Sequence, residues 1–117
     1  MLNSELSCIP ELREVGNDLV QLAQSQFPGL SFSATPEGRY VARPHNYVTF
    51  KIHSQRAKNI TVTLRGNPVE FPNVAGLLVR PDRAGYSSFR ITNADQGEAA
   101  SMCIRRAAEI YRSRRGW

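Results

Sequence analysis

Residues 47–53 read YVTFKIH and residues 59–65 read NITVTLR, and these two stretches show the clearest strand pattern in the chain. In both of them apolar side chains alternate with polar ones: Val48, Phe50 and Ile52 in the first, and Ile60, Val62 and Leu64 in the second. Such alternation is typical of a β-strand that buries one face only. A short polar loop near residues 54–57 separates the stretches, so the sequence predicts an antiparallel hairpin.

More strands are predicted on both sides of this hairpin. Short alternating stretches occupy residues 30–35, 39–43, 77–80 and 86–92, with an edge piece between two prolines at residues 69–71. The connections are short, which favours pairing of each strand with the one before it. We therefore expect an antiparallel meander of five or six strands.

Two amphipathic helices flank the strands. Residues 10–27 and residues 95–114 both repeat apolar side chains at steps of three and four, which marks one apolar stripe on each helix. Pro10 suits a first helical position, and Asp95 and Glu98 have the spacing of a capping box. Both stripes need a sheet to cover them.

The predicted fold class is therefore α+β. We expect a two-layer sandwich in which the antiparallel five- or six-stranded meander carries the N-terminal and C-terminal helices on one face. A chain of 117 residues with 41% hydrophobic residues is of ordinary size for one domain, so residues 1–117 are expected to form a single α+β domain.

The charges are distributed unevenly along the chain. Residues 1–37 carry five acids and one base, whereas residues 38–117 carry fourteen bases and five acids. Residues 38–69 hold six bases and no acid, and thirteen of the fifteen bases in the chain are arginine. The guanidinium group presents a flat set of donors that suits phosphate and carboxylate. A basic protein with net charge +5 favours anionic partners.

The polar positions of the strands define the candidate site. They should lie on the sheet face that the helices leave open, and none of them is acidic. The candidate binding residues are Tyr47, Lys51, His53, Arg65, Arg80, Tyr86 and Arg90. The cations would contact phosphates, and the two tyrosines would stack on bases. The leading hypothesis is a non-catalytic binding module that contacts nucleic acid or another polyanion through this face.

Other interpretations stay open at this stage. Threonine, lysine, arginine and tyrosine also suit any solvated antiparallel face. The same face could serve a protein partner or a homodimer, because tyrosine and arginine are enriched at interfaces. A small ligand could bind in a groove between the sheet and residues 68–76, lined by Phe71 and Val74.

The C-terminal helix is a second basic element. Arg105, Arg106 and Arg112 are expected to point away from its apolar stripe. They could lie against a phosphate backbone, or Glu109 could pair with Arg105 and Arg112 on a solvated helix face. Trp117, close behind, could pack on the domain, contact a partner or be disordered.

No catalytic or metal-ligating pattern is present in the sequence. Neither His45 nor His53 has a cysteine or aspartate at ligand spacing, and no glycine-rich phosphate loop occurs. We expect no enzyme activity, no cofactor and no metal. The chain has no apolar run of membrane-spanning length and no basic-apolar leader at its start, so we expect a cytoplasmic protein without a membrane partner.

The hairpin of residues 47–53 and 60–65 leads to the strand at 86–92 and the helix at 104–111. In this order, residues 46–112 resemble small uncharacterised bacterial domains described as predicted transport proteins and, more distantly, MmcQ/YjbR-like domains. The resemblance implies a curved sheet closed by a C-terminal helix. The latter fold has been likened to double-wing DNA-binding modules, which implies nucleic acid as a partner. Residues 85–88 replace the strand turn typical of that family, so no site residue is carried over.

Overall fold

The computed structural model describes residues 2–55, 57–72 and 76–114. The helices are α1 (Leu2–Leu6), α2 (Pro10–Ser25) and α3 (Gly97–Ser113). The strands are β1 (Ser31–Ala34), β2 (Arg39–Arg43), β3 (Val48–His53), β4 (Asn59–Arg65), β5 (Arg80–Pro81) and β6 (Tyr86–Ile91). Within these ranges no helix combines the length and the apolar character that a membrane crossing requires.

All six strands belong to one antiparallel sheet with the order β1-β2-β3-β4-β6-β5. The predicted meander is confirmed from β1 to β4. It is wrong at β5, which lies at the edge of the sheet beside β6 and not beside β4. The predicted strand at 77–80 is reduced to two residues, and one of these is Pro81, which lacks an N–H and therefore suits an edge. The longer β6 takes the inner place and pairs with β4 over six residues.

The helices α2 and α3 pack on one face of the sheet, as predicted. Ile60, Val62 and Leu64 of β4 are fully buried in the same core cluster as the apolar stripes of both helices. Gly16 marks the closest approach of α2 to the sheet: a Cβ at this position would lie 3.0 Å from the Ile60 side chain. No helix of the described residues packs on the other face of the sheet.

The additional helix α1 was not predicted from the sequence. Its Leu6 is buried against α2 near Gly16, and its Glu5 accepts a hydrogen bond from the Tyr40 hydroxyl on β2. Burial, followed by the Glu5 contact, raises the pKa of Tyr40 to about 12. Glu5 is therefore committed to the helix layer of the molecule.

The edge piece predicted at residues 69–71 is wrong. Pro68–Glu70 form one 3₁₀ turn, in which the backbone N–H of Asn67 donates to the Glu70 carboxylate at 2.8 Å. Val69 is 92% exposed, so no buried face would favour a strand here. Local capping chemistry decides this segment.

The capping box predicted at Asp95 and Glu98 is also wrong. The box is formed two residues earlier, by Asn93 and Gln96 around the 3₁₀ turn Ala94–Gln96 that precedes α3. The Asn93 side chain accepts from the N–H of Asp95 at 3.0 Å, and Gln96 Oε1 accepts from the N–H of Asn93 at 3.1 Å. Asn93 has the extended backbone that an N-cap requires, which places Asp95 inside the turn.

Candidate functional site: the basic sheet face

The strand register gathers cations on the sheet face opposite the helices. Arg39 stands opposite Lys51, Lys51 opposite Thr61, and Thr61 opposite Arg90. Residues directly opposite each other on antiparallel strands project to the same face. The four residues therefore form one row across β2, β3, β4 and β6, which we call the cation row. Neighbouring strands are roughly 5 Å apart, so the row places three cations within about 15 Å.

Polar and basic side chains surround the cation row. The residues that share this face through alternation and register are Ser31, Ser33, Arg39, Val41, Arg43, Thr49, Lys51, His53, Asn59, Thr61, Thr63, Arg65, Arg80, Tyr86, Ser88 and Arg90, and we call them the basic face. No strand residue that the structure places on this face is acidic. Six of these residues are arginine or lysine, so the face carries a positive potential.

The predicted residues Lys51, Arg80 and Arg90 have uncompensated charges. Like Arg39, which was not among the candidates, their side chains form no hydrogen bond or ion pair with the residues that the structure describes. Arg80 and Arg90 are exposed, and Lys51 is half-buried. Charged groups without internal partners can exchange their water for an external anion.

His53 stands beside the cation row on β3, as predicted. Partial burial, followed by the positive charges of Lys51 and Arg90, lowers the pKa of His53 below its ordinary value of 6.5. The imidazole is therefore neutral at pH 7 while these two cations remain uncompensated. An anion near the row would offset the contribution of these two cations to the shift.

The prediction that Tyr47 lies on the open face is wrong. The ring is 1% exposed and packs edge-on against Phe27, with ring centroids 5.1 Å apart. Its hydroxyl donates to the carbonyl of Ala23 at 2.7 Å, in the last turn of α2, where helix carbonyls lack internal partners. The strand begins only at Val48, after a tight turn in which the N–H of Tyr47 donates to the carbonyl of His45, so the alternation does not extend back to residue 47.

Tyr86 lies on the basic face, but two guanidinium groups already lie over its ring. The guanidinium of Arg83 lies 4.3 Å from the ring centroid and that of Arg65 lies 5.4 Å from it. A base could stack on Tyr86 only by displacing them, so the ring serves as a support for guanidinium groups. Arg83 was not among the candidate residues predicted from the sequence.

Arg65 is anchored at the end of the sheet. Its Nε donates to the carbonyl of Asn46 at 2.8 Å, and its guanidinium also lies 5.9 Å from the ring of Tyr111 on α3. Arg65 contributes positive charge to the basic face from a fixed position. It therefore differs from Arg80 and Arg90, whose heads can follow a ligand.

Most cations of the C-terminal helix form internal contacts. Arg106 donates to the carbonyl of Glu70 at 3.0 Å and pairs with Glu109 at 3.6 Å, where the sequence suggested Arg105 and Arg112 as partners. Arg112 donates to the carbonyl of Gln26 at 2.6 Å and lies over the ring of Phe27. These two arginines fasten α3 to its neighbours, which weakens the case for a phosphate site there. Trp117 lies outside the described residues.

Four of the five acids of the N-terminal part lie in the helix layer, and Glu37, in the turn just before Arg39, forms no ion pair with a residue that the structure describes. Three of them, Glu11, Glu14 and Asp18, line a groove of about 640 Å³ between α2 and α3, together with Glu98 and Arg105. This acidic groove belongs to the helix layer. These three carboxylates therefore do not compensate the cation row.

A second groove, which we call the β6 groove, opens beside the basic face. It has a volume of about 600 Å³ and lies between β6 and residues 76–80. Its lining residues include Leu77, Leu78, Arg80, Ser88, Arg90 and Gln96. The sequence predicted a ligand groove between the sheet and residues 68–76. Phe71 does line a separate groove of about 560 Å³, but this groove lies between residues 70–72 and α3 and not against the sheet. Val74 lies outside the described residues.

The described residues contain no group of three or more histidine, cysteine, aspartate or glutamate side chains that could hold a metal ion. Cys103 is buried in α3, and burial raises the pKa of its thiol to about 11. A thiol of this kind is protonated at neutral pH and is a poor nucleophile.

No family model, curated protein or solved structure matches the chain. The resemblance of residues 46–112 to bacterial domains stays a prediction. The basic face is therefore the feature from which we infer a function.

Proposed function

We propose that this protein is a non-catalytic binding module that contacts nucleic acid through the basic face. The observation that carries the proposal is the cation row, in which Arg39, Lys51 and Arg90 lie on one open sheet face without an internal counterion among the described residues. A phosphate backbone supplies regularly spaced negative charges that match such a row.

The energetics of the row support this function. Arg39 and Lys51 are directly opposite each other, and like charges in that position destabilise a sheet. An anion bound between them removes this repulsion. The surrounding threonine and serine hydroxyls of the basic face add donors for phosphate oxygens. Such contacts position a nucleic acid without reading its sequence.

A protein partner that uses the same face would need an acidic surface. Homodimerisation through two basic faces would bring six cations against six cations, which carries a large electrostatic cost. The charge distribution therefore favours an external polyanion over an isologous dimer. Sedimentation at low and high salt measures the oligomeric state. We expect a monomer at both salt concentrations. A dimer that persists at both would favour homodimerisation through the basic face.

The direct test is binding of fluorescently labelled DNA, both duplex and single-stranded, between 25 and 300 mM salt (an experimental range of roughly one decade). We expect the affinity to fall steeply with salt, because binding releases condensed counterions. Arg39→Gln, Lys51→Gln and Arg90→Gln should each weaken binding and reduce the slope of log K against log salt by about one.

Arg105→Gln is the matched control. It removes the same charge from an exposed position in the acidic groove and leaves the basic face intact. Its effect on binding should be small. Equal losses for Arg105→Gln and the three face variants would show that only net charge matters, and absence of binding at low salt would refute the proposal.

A further inference from the structure

We infer that the β6 groove receives an unpaired nucleobase, so that the protein prefers single-stranded nucleic acid to duplex. This inference rests on the proposed function, because the basic face would hold the phosphates of the same strand. It adds a second kind of contact, to the base, in a groove that borders the cation row at Thr61 and Arg90.

One wall of the β6 groove is apolar and exposed. Leu78 is 65% exposed although it is a large apolar side chain, while Leu77 beside it is buried and anchors the segment. An exposed leucine that borders a groove offers a flat apolar surface to a ligand. The face of an unpaired base is such a ligand, because every base has an apolar π-surface.

Two cations also border the β6 groove, Arg80 on the same segment as Leu78 and Arg90 on β6. Arg80 stands opposite Ser88, and Arg90 lies two residues further along β6, so the two arginines are diagonal neighbours roughly 7–8 Å apart at their backbones. Neither guanidinium forms a hydrogen bond or an ion pair with a residue that the structure describes. A guanidinium plane stacks on a base and also pairs with its phosphate.

The apolar wall is held in place before any ligand arrives. The side-chain amide of Gln96 donates to the carbonyl of Gly76 at 2.8 Å, and its oxygen accepts from the N–H of Thr92 at 2.7 Å. Gln96 thereby ties the wall to the end of β6 and to the start of α3. Preorganised walls lower the entropic cost of binding.

The β6 groove has room for a base. Its volume of about 600 Å³ falls within the range of small-molecule sites. The groove is continuous with the cation row through Arg90, which belongs to both. A strand whose phosphates follow the row can therefore turn one base into the groove, whereas a base within a duplex stays stacked and paired.

The test compares three labelled probes of equal length: oligothymidine, the same backbone with abasic spacers, and a duplex. All three offer phosphates, but only oligothymidine offers unpaired bases. We expect wild type to bind oligothymidine about tenfold more tightly than the abasic strand, which is a typical effect of one stacked base. Leu78→Ser should remove most of this preference and leave abasic binding unchanged.

Val69→Ser is the control, because Val69 is also an exposed aliphatic residue but lies in the 3₁₀ turn Pro68–Glu70, outside the β6 groove. It should leave all three affinities unchanged. Equal binding of oligothymidine and the abasic strand by wild type, or an unchanged preference in Leu78→Ser, would overturn the inference and leave the proposed function standing. If the protein bound none of the three probes, the proposed function would be overturned as well.

Discussion

Arg39 on β2 and Lys51 on β3 stand directly opposite each other on the open face of the sheet, with no carboxylate between them among the described residues. In an antiparallel pair this arrangement lowers the stability of the sheet. A solvated face that served no partner would gain stability from an acid or a neutral residue at either position. Under the proposed function, an anion bound between the two side chains would relieve this repulsion.

Lys51→Thr should make the protein more stable and a weaker binder. Threonine favours strands, and its introduction removes the repulsion from Arg39, so we expect the free energy of unfolding to rise by about 0.5 kcal/mol at low salt. Urea denaturation measures this gain, which should shrink at high salt. Lys58→Thr removes the same charge from an exposed residue just before β4 and should have little effect. A loss of stability in Lys51→Thr would contradict the role assigned to the pair.

The His53 side chain should couple DNA binding to pH. Its pKa is lowered in the free protein by burial and then by Lys51 and Arg90, so the unfolded chain binds a proton near pH 6.5 before the folded one does. Stability should therefore fall as the pH decreases from above 6.5 toward the lowered pKa. Bound DNA should raise the pKa of His53, so affinity should increase over that interval.

NMR titration of the imidazole signals, with and without DNA, measures these shifts directly. His53→Gln should flatten the dependence of affinity on pH between 7 and the lowered pKa, while salt dependence persists. If DNA left the His53 titration unchanged, the anion would not lie at the cation row.

Tyr47→Phe should reduce stability without changing binding. The variant keeps the buried ring but removes the hydroxyl that donates to the carbonyl of Ala23 at the end of α2. A lost buried hydrogen bond costs about 1–2 kcal/mol, which thermal or urea denaturation would detect. Tyr86→Phe is the matched control on the open face and should cost less. Weaker DNA binding in Tyr47→Phe at full stability would restore the site role that the sequence suggested.

Glu70→Gln should destabilise the protein at neutral pH only. Glu70 accepts hydrogen bonds from Arg114 and from the N–H of Asn67, and these contacts, the Arg114 bond first, lower the pKa of its carboxyl. The stabilisation is present above the ordinary value of 4.5 and is lost as the pH falls through the lowered pKa.

At pH 7 the expected loss in Glu70→Gln is about 1 kcal/mol, because Arg114 is partly exposed and solvent screens the pair. Denaturation at pH 7 and at low pH would measure a difference between wild type and variant that disappears in acid. Glu109→Gln breaks a more exposed pair with Arg106 and should change little at either pH. A Glu70→Gln deficit that persisted in acid would point to a cause other than charge.

The sequence predicted the central strands within one residue because a sheet buried on one side imposes a period of two on its side chains. The bounds of β2 and β4 agree with the predicted residues 39–43 and 59–65, and β3 begins one residue late. Lys51, Arg80 and Arg90 could be placed on the open face from this period alone. Arg39 could have been placed there in the same way, but its importance appears only once its partner strand is known.

The remaining site features depend on contacts between distant parts of the chain. Tyr47 is buried because Ala23 and Phe27, which lie 24 and 20 residues earlier in the chain, provide a carbonyl and a ring. The β6 groove exists because Gln96 holds Gly76, twenty residues before it. Local periodicity carries no information about such contacts. The guanidinium of Arg83 over Tyr86 similarly depends on the conformation of the turn at residues 82–85.

The acidic groove and the basic face lie on opposite layers, and this separation gives the molecule a permanent dipole moment. In the field of a polyanion, the dipole experiences a torque that turns the basic face toward the polyanion and the helices away from it before the surfaces touch. Rotational search is thereby shortened, and a larger share of collisions arrive in a productive orientation. Association should consequently be faster at low ionic strength than the net charge of +5 alone would produce.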